Sequence, residues 1–378
     1  MKNLLLLAGT ALFACAALPA DARDMWTKEQ ANSWYAKQPW MVGANYNNRS
    51  AINQFEMWQA DTFNPAEIDQ EFGWAAGMGM NIMRVYLHNM LWEEDAPGLK
   101  KRMEQFLQIA DKHKIRIMFV LFDSCWDPNP RSGPQRPPIP GVHNSGWMQA
   151  PGAARLADKS QYGKLEAYVK DIVGSFANDK RIAVWDVWNE PNNSGGGMGY
   201  YPLTPNKTAL VAGLLGPVFD WARSVDPTQP LTSGLWTGGR WDQIDKLDAV
   251  EKIQVTQSDV MSFHDYRWPE HFEERARQIM TWGRPVLVTE YMARGNGSLF
   301  DTILPLGKKH NMAMIHWGFV DGKSQTRIPW DSWRRPYNAD QPPTVWFHDV
   351  LRTDGTPYRK AEVDLIKRLT TEANGSRK

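Results

Sequence analysis

A closed (β/α)8 barrel is the fold this chain predicts, as a single α/β domain with long loops on its C-terminal face. Apolar, strand-like runs alternate with amphipathic helical runs from Trp40 almost to the end, and eight strand runs can be read. Alternation of this kind argues for parallel βαβ units. Eight such units close into a barrel more readily than they lie as an open sheet. The two longest irregular segments follow the third and fourth strands, which puts both on the face where barrels build their sites.

Taken in order, strand one is Met41–Asn45, followed by a helical pattern over Pro65–Met78. Strand two, Ile82–Leu87, leads to a helix over Gly98–His113. There Met103, Phe106, Leu107 and Ala110 recur at spacings of three and four, so one stripe packs on the barrel. Strand three, Ile115–Phe122, precedes the Pro-, Gly- and Ser-rich stretch 124–160 and a helix over Tyr162–Asn178. Strand four, Ile182–Asn189, must stop before Pro191, because proline cannot donate to a sheet ladder. The stretch 192–206, with Ser194-Gly195-Gly196-Gly197, then leads to a helix over Thr208–Val225. Strand five, Leu231–Trp236, is followed by the least regular helix, somewhere in Trp241–Val255. Strand six, Val260–His264, pairs with a helix over Trp268–Trp282, and strand seven, Val286–Glu290, with one over Leu299–His310. Met312–Gly318 is strand eight, and Ala361–Glu372 closes the chain.

The 378 residues, 42% hydrophobic and 22% charged, are ample for one large core. A net charge of +1 offers no footprint for nucleic acid. The N-terminus reads as an export signal: Lys2, an apolar run from Leu4 to Leu18, and Ala20-Asp21-Ala22 as a small-x-small cleavage site. The run is shorter than the ~20 residues of a bilayer span, and no other segment looks transmembrane. The expectation is a signal peptide over 1–22 and a barrel over 23–378, exported to the periplasm or the extracellular space as a monomer. Cleavage there removes Cys15 and leaves Cys125 without an intrachain partner. A lipid anchor on Cys15 is the less favoured alternative, because Phe13 is too bulky for that pattern.

The chemistry lies at two strand ends. Val184-Trp185-Asp186-Val187-Trp188-Asn189-Glu190-Pro191 delivers a glutamate as strand four ends, and Pro285-Val286-Leu287-Val288-Thr289-Glu290-Tyr291 delivers another from strand seven. Two carboxylates facing one mouth are what cleavage of a glycosidic bond requires, one as proton donor and one as nucleophile or base. Nineteen tryptophans fit such a substrate, since flat, weakly polar rings suit the apolar faces of sugars as well as a protein core. Trp126 and Trp147 in the first long loop, and Tyr200 and Tyr201 in the second, are expected to wall an elongated sugar-binding cleft.

Trp188-Asn189-Glu190-Pro191 together with Thr289-Glu290-Tyr291 resembles clan A of the glycoside hydrolases, especially family 5 among exported bacterial β-glycanases. The likeness covers nearly the whole mature chain. It implies Glu190 as general acid and base and Glu290 as nucleophile. It also implies that Asn189 holds the sugar 2-hydroxyl, that Arg84 supports the nucleophile, and that His264 and Tyr266 supply the His-x-Tyr pattern after strand six. Trp317 becomes the floor under the sugar being cleaved. Family 5 commonly places a histidine after strand three, where this chain has Asp123-Ser124-Cys125-Trp126. The runs Asp321-Gly322-Lys323-Ser324-Gln325-Thr326 and Trp330-Asp331-Ser332-Trp333 are similar to those of bacterial relatives labelled xylanase or cellulase.

The roles also follow physically. A guanidinium such as Arg84 and a hydroxyl such as Tyr266 would keep Glu290 ionised. Glu190 must hold its proton until the leaving oxygen needs it, so its pKa is expected to be raised by burial beside Trp188 or Trp317 and by the charge on Glu290. The expected reaction is hydrolysis of a β-linked poly- or oligosaccharide with retention. A non-catalytic sugar-binding barrel and a transglycosylase using the same covalent intermediate are the alternatives. No cofactor or metal is called for. His264, Asp265 and His271 lack a tight ligand spacing, Cys125 reads as a wall residue, His310 and His316 as helix-end and core histidines, and Asp186 as a hydrogen-bonded strand residue rather than a third acid.

Overall fold

The computed structural model describes residues 22–195 and 201–375. The expected signal segment and Tyr200 therefore lie outside the described residues, apart from Ala22. Eight parallel strands form the sheet: β1 Val42–Tyr46, β2 Ile82–Tyr86, β3 Arg116–Val120, β4 Ile182–Asp186, β5 Leu231–Thr232, β6 Met261–His264, β7 Val286–Glu290 and β8 Ala313–His316. Their order is β5-β4-β3-β2-β1-β8-β7-β6. The ring closes between β5 and β6 through the Leu235–Phe263 bridge, with Leu235 N donating to Ser262 O at 3.0 Å. Almost every strand residue is buried on either face, as expected of a parallel sheet covered by helices.

The helices are α1 Lys28–Ala36, α2 Gln54–Trp58, α3 Pro65–Gly77, α4 Asn89–Lys112, α5 Ala153–Ala157, α6 Tyr162–Ser175, α7 Lys207–Arg223, α8 Ala249–Gln257, α9 Pro269–Met280, α10 Phe300–Lys309 and α11 Lys360–Asn374. Local chemistry fixes several of their ends. Asn64 caps α3 by accepting from Glu67 N, with Pro65 in the first turn. Asp248 and Glu251 form a capping box on α8, the helix whose periodicity is least regular. The helix expected from Gly98 begins earlier, at Asn89, and is kinked at Asp95, two residues before Pro97. Strand five is shorter than its apolar run predicts, because pairing to β4 ends at Thr232.

The barrel interior is layered. Ala31 and Tyr35 of α1, a helix not anticipated from the sequence, plug the N-terminal end against Ile82, Met118, Val184, Leu287 and Ile315. Above this apolar floor the inward positions turn polar, beginning with Arg84, which is paired in register with Asn45. Strand alternation puts Ile82, Arg84 and Tyr86 on one face of β2. The polar chemistry is thereby lifted to the C-terminal mouth.

Candidate active site

Arg84 is the hub of the mouth. Fully buried, it donates to Asp186 Oδ2 from Nε (3.0 Å) and Nη2 (2.7 Å), to Asn189 Oδ1 (2.7 Å), to Asn45 Oδ1 (2.8 Å) and to Glu290 Oε1 (2.9 Å). Every guanidinium nitrogen is engaged, a fit that only a planar fork offers. Asp186 is thus a buried ion-pair partner within the barrel. Glu290, at the end of β7, also accepts from the Tyr86 hydroxyl on Oε1 (3.0 Å) and the Tyr266 hydroxyl on Oε2 (2.7 Å). Burial, followed by the negative charge of Glu290, pushes the Tyr266 phenol well above its ordinary range, so it stays a donor.

Glu190 stands opposite. Its backbone is in the left-handed region, φ 45°, a conformation that costs about 1–3 kcal/mol in a residue other than glycine and that turns the chain sharply out of strand four. Oε1 receives His264 Nδ1 (3.0 Å) and Oε2 receives Asn193 Nδ2 (2.7 Å), with the Cys125 sulfur 3.4 Å away. The same His264 Nδ1 lies 3.5 Å from Glu290 Oε2. Its Nε2 has no partner and faces Gly234, where a Cβ would stand 3.3 Å away. An oxygen of Glu190, a ring nitrogen of His264 and an oxygen of Glu290 all lie within 4.8 Å of one another. These three are the donors able to share a cation among the described residues. Asp265 and His271 instead pair with each other at 2.7 Å, so the trio His264, Asp265 and His271 is not a joint ligand set.

The expected proton affinity of Glu190 needs correction. Burial opposes its charge most strongly, but the His264 hydrogen bond and charge, with Asn193 and Cys125, more than offset it. The carboxyl sits below the usual glutamate range. Trp188 contributes nothing to the cleft. Its indole donates to Ser124 Oγ (3.0 Å) and its ring packs on Phe122 in the core outside the barrel. Trp317 does line the cleft, edge-on to Tyr86 and Trp147. Replacing His264 by Ala is expected to raise the Glu190 pKa, because the hydrogen bond and charge that hold it down are lost. The alkaline limb of a kcat/KM profile, which reports the acid of the free enzyme, should then move to higher pH; a downward shift contradicts the assignment.

After β3, Asp123 and Cys125 stand beside the site. Asp123 accepts from Asn189 Nδ2 (2.9 Å) and Trp147 Nε1 (2.6 Å), and burial lifts its carboxyl to about 7. With Oδ1 on Arg84 and one amide hydrogen on Asp123, Asn189 keeps a second hydrogen for a ligand in the cavity it lines. Lys207, buried, donates to Ser124 O, and burial pushes its ammonium down to about 8. Burial, then the charges of Asp123 and Glu190, push the Cys125 thiol far up. Cys125 should therefore resist iodoacetamide at pH 8 in the folded protein and react after denaturation, as read by peptide mass spectrometry. Rapid labelling of the folded protein counts against this.

All eight residues singled out from the sequence border this site. Glu190, Glu290, Asn189, Tyr266, Trp126 and Trp317 line a cavity of about 350 Å3, with Arg84 and His264 bonded to its carboxylates. Both long loops contribute walls, through Trp126 and Trp147 in the first and Asn193 and Gly195 in the second, while Tyr201, expected in the cleft, is buried against Trp333 instead. Sequence reasoning missed Tyr86, Asn45, Asp123 and Asn193. Tyr86 was findable, since a period of two places it on the face of Arg84. The other three act through partners distant in the chain or across a turn that no periodicity marks.

The cellulase family, glycosyl hydrolase family 5, matches residues 43–335. The chain is 20% identical to mannan endo-1,4-beta-mannosidase A of Hypocrea jecorina over 89% of its own length and 82% of that protein's. It is also 20% identical to a protein of Aspergillus flavus named "Probable mannan endo-1,4-beta-mannosidase F", where the match spans 63% of this chain and only 56% of the relative. Among solved structures, an endo-1,4-beta-mannanase from Rhizomucor miehei superposes with a TM-score of 0.55 at 12% identity, covering 88% of this chain and 98% of that one. An exo-beta-1,4-mannosidase from Opitutaceae bacterium strain TAV5 gives 0.58 at 17%, covering 89% and 60%. At these identities the structures speak for the barrel alone.

Proposed function

The chain belongs to glycosyl hydrolase family 5, and we propose that it is a retaining β-glycoside hydrolase acting on a β-1,4-linked glycan, with mannan the first substrate to test. One observation carries the reading: two buried carboxylates, from the ends of the fourth and seventh strands, approach within 4.8 Å around a shared histidine. Retaining enzymes set their carboxyl groups about 5–5.5 Å apart, whereas inverting ones leave about 6.5–9.5 Å for a water.

Glu290 attacks the anomeric carbon, ion-paired with Arg84 and aimed by the Tyr86 and Tyr266 hydroxyls. Glu190 protonates the leaving oxygen. His264 Nδ1, 3.0 Å from Oε1, holds that carboxyl toward the leaving oxygen. A sugar seated on Trp317 expels water and favours the neutral acid. Once Glu290 is glycosylated its charge is gone, and Glu190 ionises readily again to take a proton from water. Asn189 offers its free amide hydrogen to the ring hydroxyl next to the reacting carbon. The apolar leader over 1–22 supports an exported protein, and among the described residues no helix is long and apolar enough to cross a membrane.

The test is hydrolysis of β-1,4-linked mannan, glucan and xylan, with β-1,3 and mixed-linkage glucans as contrasts. Proton NMR of the first product should show the β-anomer forming before mutarotation; a first-formed α-anomer would rule out double displacement. Product analysis at high acceptor concentration separates hydrolysis from transglycosylation.

A further inference from the structure

The mouth of the barrel is walled on one side by loops that pack on one another. After β3 and β8, two long loops are stitched together. Gln325 Nε2 donates to Ile139 O (2.7 Å) and Val142 O (3.2 Å), and its Oε1 accepts from Gly141 N (3.1 Å). His143 N donates to Ser332 Oγ (2.9 Å), Asn144 N to Ser324 O (2.8 Å) and Tyr337 N to Gly141 O (3.0 Å). The loop after β4 joins them, with the Tyr201 hydroxyl on Ser145 O and the Tyr201 ring edge-on to Trp333 at 5.7 Å. Val142, Tyr201 and Trp333 are buried in the seam, with Trp126 and Ile139 packed on them. This wall is more than an ornament at the rim, because His143, Asn144, Trp330 and Trp333 face the cavity that holds both carboxylates.

Around β5, β6 and β7 the picture is reversed. Residues 265–268 after β6 and 291–299 after β7 are short connections, while 233–248 after β5 is longer, and a second cavity of about 240 Å3 opens among Gly238, Asp265, Arg267, Arg275 and Asn296. It shares Glu190, Trp236, Tyr266 and Trp330 with the first cavity but touches neither Glu290 nor Trp317.

The chemistry orients a chain in this space. The nucleophile meets the anomeric carbon, so the sugar being released lies with Glu290 in the walled cavity. The acid meets the leaving oxygen, so the rest of the glycan, toward its reducing end, passes Glu190 into the second cavity. At about 350 Å3 the walled cavity is near the small end of the roughly 300–1,000 Å3 typical of small-ligand sites. The joined loops bound it on the side of β3 and β8.

We infer that the protein works end-wise, releasing a short product of fixed length from the non-reducing terminus and not cutting within chains. The inference rests on the hydrolase reading above and specifies how that site takes its substrate. The wild-type protein tests it on β-1,4-linked manno-, gluco- and xylo-oligosaccharides tagged at the reducing end, on the matching polysaccharides, and on oligosaccharides whose non-reducing terminal hydroxyls are capped by a benzylidene group. The expected result is one size of untagged product from the first time point and tagged species that shorten by a constant step. Polysaccharide viscosity should hold while reducing ends accumulate, and turnover of the capped chains should be lost. Tagged fragments of all sizes at early times, or capped chains cut as fast as uncapped ones, overturn end-wise action and leave the hydrolase reading standing. No cleavage of any β-glycan or aryl β-glycoside sinks the hydrolase reading and this inference together.

Discussion

Replacing Glu290 by Gln is expected to abolish turnover, lowering kcat by on the order of 10^4-fold or more, the scale reached when the nucleophile of an interlocked catalytic set is removed. Gln keeps the volume and one carbonyl oxygen, so the Arg84 and Tyr86 donors retain a partner and sugar binding should survive. Calorimetric titration with an oligosaccharide cleaved by the wild type measures that half of the prediction. Glu290→Ala and Glu190→Ala separate the two roles further when azide is supplied. A cavity at the nucleophile lets azide attack the anomeric carbon and yields an α-glycosyl azide. A missing acid leaves the covalent intermediate to be intercepted from the other face and yields the β-azide. Equal activity in wild type and Glu290→Gln, or the two azide products exchanged, removes Glu290 from its assigned role.

Arg84→Met should be the most destabilising single change at the site. The guanidinium is fully buried and neutralises Asp186 and Glu290 at once. Its loss leaves two buried carboxylates without a cation, and breaking a buried pair in this way costs about 3–5 kcal/mol. Asn45, Asn189 and Tyr86 lose the donor that orients them as well. Activity should fall with stability, since Glu290 and Asn189 lose a common support. Arg84→Lys keeps a charge but cannot span Asp186, Asn189 and Glu290 from a single ammonium. It should recover part of the stability and little of the activity. Chemical denaturation with matched slopes reads the stability change. A midpoint for Arg84→Met equal to that of wild type refutes the hub.

The comparison of sequence with structure turns on which signals are local. Val286–Glu290 is found where its apolar run predicts, and the strands around it shift by only a few residues, because a buried parallel strand writes its length in consecutive apolar residues. The capping box of α8 was present as Asp248 and Glu251, yet the weak stripe behind it hid the helix. The kinked start of α4 and the plug α1 were missed for a related reason: both are fixed by what they pack against. At the site, Pro191 and the two strand-end glutamates announced themselves. The pKa of Glu190 did not, because its sign depends on whether His264, Asn193 and Cys125 face the carboxyl or turn away.

By itself the amino-acid order determined the alternation of strands and helices, the count of eight units and the delivery of Glu190 and Glu290 to one face. Those features repeat with periods of two and 3.6 residues, or rest on proline's missing donor, and need no knowledge of distant neighbours. Only the tertiary structure decided that Arg84 binds both sides of the mouth, that Asp123 steadies Asn189, and that loops after β3, β4 and β8 join into a wall. Such contacts link residues up to about two hundred positions apart, as Gln325 and Ile139 are. Shape, desolvation and hydrogen-bond geometry select them only after the chain has folded.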